Sequence, residues 1–219
     1  RDREYAFFVT FFPLLVAGPI LRAKEFIPQL REKIDSFEVG IKIRQIVLTE
    51  TNLRFGITLI ALGFFKKMFF ADNISPMVTE IFAMPQGLDS FTIILGTIGF
   101  GIQVYCDFSG YSDIAIGSAL ILGFKIPSNF NHPFFSTSPS EYWRRWHISL
   151  SSWVKDYLFL PIVYRRIGSD LVLFGGMFLS FLVLGLWHGA GWNFIFFGAL
   201  HGIYVSVEII VRKRYPRLA

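Results

Sequence analysis

The chain has 219 residues, 53% of them hydrophobic and 18% aromatic, with 26 phenylalanines. Its mean hydropathy of +0.50 excludes an ordinary water-soluble domain and points to lipid as the solvent. The net charge of +5 does not imply nucleic acid, because the basic residues gather between apolar runs, at 22–44, 144–145, 165–166 and 212–217, as orientation signals and headgroup contacts do.

Apolar segments lie near 5–21, 55–71, 91–105, 110–126, 171–187 and 192–211, with a shorter one at 157–164. Several are below the roughly 20 residues a spanning helix needs. The interrupted runs FFPLLVAGPI (11–20) and TIGFGIQVYCDFSG (97–110) predict re-entrant or broken helices, which are tolerated at depth where protein or a water-filled cavity satisfies the backbone. The expected fold is therefore all-α: a polytopic integral membrane bundle with broken helices around a tunnel. The start at Arg1, with no signal-peptide pattern, suggests a piece of a longer membrane protein, read as one partial domain over 1–219.

Between Arg22 and Arg54, charged residues alternate with Phe26, Ile27, Leu30, Ile34 and Phe37 at three- and four-residue intervals, which predicts amphipathic helices at the membrane interface. Pro28 is expected to place the start of the first near itself. Asp107 and Asp113, in YCDFSGYSDIAIG, must be paired, protonated or water-exposed beside apolar runs; gatekeeping of a cavity and a helix start at Ser109, Ser112 or Asp113 are both open.

The region 127–153 reads as a polar loop followed by a motif-bearing helix. The loop holds Pro127, Pro133 and Pro139, and Ser138 or Ser140 with Glu141 is placed to start the helix. If 140–153 is one helix, Trp143, Trp146, His147 and Leu150 share a face while Glu141 and Arg145 pair on the other. His147 then points inward beside two indoles; in the plainer reading the helix is an interfacial belt and its histidine incidental. His188, in LGLWHGAGW, ends an apolar run among glycines that permit close approach. Desolvation there favours the neutral imidazole that a general base requires, and a core histidine bonded across helices is the alternative. His132, His147, His188 and His201 match no metal-ligand spacing, and the lone Cys106 has no cysteine partner, so no metal is expected. His201 is expected to pack between helices. No G-x-S-x-G elbow or Walker A pattern occurs.

The ordered set AGPI (17–20) with R-x-x-E-F (22–26), FFKKMFFADN (64–73), YCDFSGYSDIAIG (105–117), NFNHPFFS (129–136), SEYWRRWHISLSSWVKDYLFLPI (140–162) and LWHGAGWNFIFFGALHG (186–202) resembles the membrane-bound O-acyltransferases, in particular their bacterial alginate O-acetyltransferase-like branch. The resemblance covers nearly the whole chain and corresponds to the central catalytic portion of the family. It implies an integral membrane O-acyltransferase of the bacterial inner membrane that moves an acyl group, acetyl above all, from a cytoplasmic thioester such as acetyl-CoA to a hydroxyl of an exported polysaccharide such as alginate. No bound cofactor is implied. The family's hallmark histidines fall on His188 and His147, the expected catalytic pair. Trp143, Arg144, Arg145, Trp146, Trp187, Asn131 and Asp107 are the candidates for substrate contact, with Arg144 and Arg145 placed either to hold coenzyme A phosphates or to anchor the helix to lipid headgroups. The partners are then membrane lipid, acyl donor and polysaccharide acceptor, with a periplasmic transferase as a further partner open to the enzyme. The competing reading is a transmembrane carrier of acyl groups or glycans that serves a separate periplasmic transferase.

Overall fold

The computed structural model describes residues 2–15, 18–42, 45, 47–164 and 169–215. Ala17 of the AGPI motif, Arg44, the basic pair Arg165 and Arg166, and the basic cluster from residue 216 on lie outside the described residues. The chain divides into two compact units, Arg1–Ser128 and Asn129–Ala219. Among the described residues every regular element is helical, and three helices are long and apolar enough to cross a membrane.

In the first unit, α1 (Asp2–Val9) leads through a 3₁₀ turn at Phe12–Leu14 to α2 (Ala23–Glu38). The break in 11–20 follows the sequence expectation. α2 does not: it begins at Ala23 and carries Pro28 within it. Burying Phe26 and Leu30 is worth roughly 1.5–3 kcal/mol each, enough to offset the ~3 kcal/mol cost of an interior proline. Phe26 stacks on Phe124 at 4.7 Å and meets Phe11 at 4.8 Å. Beside them, the Gln29 side chain accepts from the Lys125 N–H at 2.8 Å and donates to its carbonyl at 2.9 Å. Ile34 and Phe37, on the same predicted stripe, stay exposed.

Helix α3 (Glu50–Phe64), capped by Thr49, continues through a π-helical stretch at Phe65–Ala71 into α4 (Asp72–Ala83). The long α5 (Ser90–Ile121) is capped by Asp89 and ends at Gly123, whose φ of +78° suits glycine. At 32 residues it is about 48 Å long. The expected interruption at 97–110 is absent: the two apolar segments 91–105 and 110–126 form one helix up to Ile121, so Ser109, Ser112 and Asp113 start nothing. Of the glycines that suggested a break, Gly99 packs against Val78 and Met77 of α4, Gly110 meets α3, and Gly101 faces open space. A Cβ on Gly63 or Gly110 would strike the other's carbonyl, as would one on Gly56 or Gly117, so α3 and α5 touch backbone to backbone.

The second unit begins with a 3₁₀ turn at Pro133–Phe135, then α6 (Pro139–Arg145), α7 (Ile148–Val154), a π-helical turn at Lys155–Phe159, α8 (Leu160–Val163), α9 (Asp170–His188) and α10 (Trp192–Arg214). α9 and α10 form an antiparallel pair closed on Gly185 and Gly198, where any side chain would meet the partner backbone. The predicted helix over 140–153 is divided between α6 and α7. The break at Trp146–His147 is the feature on which the site turns.

Candidate active site

Helix α6 is capped at its start by Ser138, the first of the two serines the sequence offered. Ser138 accepts the Glu141 N–H, and Glu141 accepts from the Thr137 N–H and hydroxyl at 2.8 Å each, an arrangement close to a capping box. Arg145 pairs with Glu141 at 2.6 Å. Thr137's two donors, and then Arg145, hold the Glu141 carboxyl down at about 2. A second carboxylate from α10 reaches the same helix end: Glu208 accepts from both the N–H and the hydroxyl of Ser140 at 2.7 Å and pairs with Arg212 at 2.9 Å.

Two residues leave the helix after Arg145. Trp146 is extended, with φ −107° and ψ 130°, and His147 is left-handed, with φ +42°. A residue other than glycine pays roughly 1–2 kcal/mol there, although histidine tolerates it better than most. The kink does not scatter the predicted face: Trp143, His147 and Leu150 are all buried, while Trp146 is half-buried, stacked on Tyr142 at 5.7 Å and edge-on to Phe130 at 5.0 Å.

The His147 ring lies 6.3 Å from that of Trp187, and Trp187 lies 4.9 Å from His188, so one indole neighbours both imidazoles. Burial, and then the proximity of His188, push the His147 imidazole down to about 4, so it is uncharged at neutral pH. Of the two rings His147 is the more deeply buried, only 6% exposed, whereas His188 is the more open. Beyond His188 the rings continue through Phe197, 6.0 Å away, to His201, 4.6 Å farther. Trp143 donates its indole N–H to Nδ1 of His201 at 3.3 Å, which fixes that ring's tautomer and bears out its expected packing between helices.

The remaining candidates separate. Arg144 is exposed and, with Trp143, Ser151, Phe159 and Leu184, lines a cavity of about 370 Å³. Arg145 is engaged by Glu141. Asn131 contributes its backbone, donating to the Arg145 carbonyl at 2.9 Å. Asp107 belongs to the first unit, where it pairs with Lys67 at 2.7 Å, while Lys66 pairs with Asp113 at 2.6 Å. Both aspartates are thus neutralised by lysines of the π-helical stretch. Sequence reasoning passed over Asn129 and Glu208. A single carboxylate inside the apolar run 192–211 was the available signal for Glu208, since a buried charge needs a partner.

Residues 3–219 match the membrane-bound O-acyltransferase family. The chain is 39% identical to the peptidoglycan O-acetyltransferase of Helicobacter pylori, over 94% of this chain and 37% of that protein. It is 40% identical to the probable alginate O-acetylase AlgI of Pseudomonas aeruginosa, over 94% and 36%. It is 31% identical to the teichoic acid D-alanyltransferase of Bacillus subtilis, over 91% and 50%. The chain thus spans well under half the length of the first two of these relatives.

Proposed function

This chain belongs to the membrane-bound O-acyltransferase family, and from that premise we propose that it is the catalytic portion of an inner-membrane enzyme that moves an acyl group, acetyl above all, from a cytoplasmic thioester such as acetyl-CoA to a hydroxyl of an exported polysaccharide. The observation that carries the reading is the pairing of a buried, neutral His147 with a more open His188 around Trp187. His188 takes the hydroxyl proton as the acceptor oxygen bonds to the acyl carbon. His147, uncharged and water-excluded, directs an N–H at the oxyanion that develops. The carbon–sulfur bond then breaks, and the departing thiolate recovers the proton from the His188 imidazolium. Trp143 and Arg144 beside the cavity support a role in holding the donor.

Relatives named for peptidoglycan, alginate and teichoic acid favour a cell-envelope polymer as acceptor, alginate among them. Replacing His188 by Ala in the full-length protein is expected to reduce polymer acylation by about 10²–10⁴-fold, the range of a lost acid–base group, with insertion into the membrane unchanged. Acylation at the wild-type level, per molecule inserted, rejects the assignment.

A further inference from the structure

His147 holds a backbone conformation that its own neighbours do not favour. The residues on either side have helical periodicity, so one continuous helix over 140–153 is an accessible competitor without the left-handed cost. Something distant in sequence must select the kink. The structure presents one such group, the wholly buried Asn129. Its backbone carbonyl accepts the Ile148 N–H at 3.0 Å. Its side-chain Oδ1 accepts both the N–H and the hydroxyl of Ser149, at 3.2 and 2.8 Å. Two residues on, the Asn131 N–H donates to the Arg145 carbonyl. Residues 129–131 therefore brace the chain immediately before and immediately after Trp146–His147.

The bonds at Ile148 and Ser149 are ones a continuous helix cannot keep, because in it those N–H groups would turn toward carbonyls four residues back. In that helix the carbonyl and amide oxygens of the buried Asn129 lose these donors, and an unsatisfied buried acceptor costs about 1–3 kcal/mol, the scale of the left-handed cost. The His147 side chain makes no capping hydrogen bond to α7.

We propose that Asn129 is a positioning residue for His147: its amide grips Ser149 and its carbonyl grips Ile148, fixing the turn that aims the imidazole toward Trp187. This rests on the catalytic part assigned to His147 above. The test uses the full-length protein in detergent, with acetyl-CoA and a soluble oligosaccharide as probes and Asn129→Ala, Ser149→Ala and His147→Ala as variants. Steady-state acyl transfer is measured, together with the rate at which diethyl pyrocarbonate modifies His147, followed by mass spectrometry.

Asn129→Ala is expected to lower kcat by about 10²-fold, the scale of a reacting group misplaced by an ångström, with KM for the donor unchanged and modification of His147 markedly faster. Ser149→Ala is expected to fall between it and wild type, and the double variant to be no worse than Asn129→Ala alone. Wild-type kcat and wild-type modification in a folded Asn129→Ala protein overturn the proposal. Should that variant fail to fold, Ser149→Ala decides, and both readouts unchanged there overturn it. Full activity of His147→Ala, with faster modification of His147 in Asn129→Ala, instead upholds the positioning and removes the catalytic part given to His147.

Discussion

His147 and His188 are chemically identical side chains given different environments, and the division of labour proposed for them follows from that difference. His147 is buried and held at about 4, below the ordinary histidine value of about 6.5. In the unfolded chain the same ring takes up a proton first, so the stability it contributes is complete above about pH 6.5 and is lost as pH falls from there through about 4. Thermal unfolding of the solubilised protein is expected to show that loss, and His147→Asn, which keeps a left-handed-tolerant residue without a titrating ring, is expected to flatten it. Glu141 behaves in the opposite chemical sense with the same direction in pH. Its carboxyl, held at about 2 by Thr137 and Arg145, stays ionised in the folded protein through the acid range in which His147 charges, and the stability it lends the start of α6 is complete above about 4.5 and lost as pH falls from there through about 2. Ser138→Ala is expected to cost about 1 kcal/mol at that helix start, measured as a lower unfolding midpoint.

The helices are held at two kinds of contact, glycine faces and side-chain clamps. Gly63 against Gly110 and Gly56 against Gly117 leave no room for a Cβ, and Gly185 against Gly198 is as tight, whereas Gly101 and Gly175 face open space. Gly63→Leu and Gly198→Leu are therefore expected to abolish the folded, protease-resistant protein. Gly101→Ala and Gly175→Ala are expected to be tolerated or to raise the unfolding temperature, since alanine is favoured over glycine within a helix by up to about 1 kcal/mol. The clamp at Glu208 acts differently. It joins α10 to the first turn of α6 through Ser140, a contact between residues 68 apart. Glu208→Gln keeps one acceptor and loses the Arg212 pair. Its acyl transfer is expected to fall while expression is retained, with Arg212→Met reproducing part of the loss.

For the assembled protein, the choice is between chemistry and transport. Three candidate spans are compatible with either, but the roles proposed for His188 and His147 beside a shared indole serve acyl transfer and not passage of a group across the membrane. Purified full-length protein supplied with acetyl-CoA and a soluble oligosaccharide is expected to acylate it without help. Movement of the acyl group across a vesicle membrane without transfer would instead make the protein a carrier for a separate periplasmic transferase.

The membrane class, the positions of α9 and α10, the caps at Ser138 and the Glu141–Arg145 pair were all legible in order along the chain, because composition, apolar run length and i to i+4 spacing are local quantities. The family was legible for the same reason, through short motifs in fixed order. Three features were not. Gly99 and Gly110 look like interruptions until α4 and α3 are laid against them, Pro28 looks like a helix start until Phe26 is seen buried beneath it, and 140–153 looks like one helix because its period of 3.6 persists across the break. Each reversal came from a partner far along the chain, the last from Asn129, twenty residues before the serine it holds. A residue's spacing to its neighbours states which face it belongs to, whereas its backbone angle is settled by whichever hydrogen bonds the folded chain brings to it.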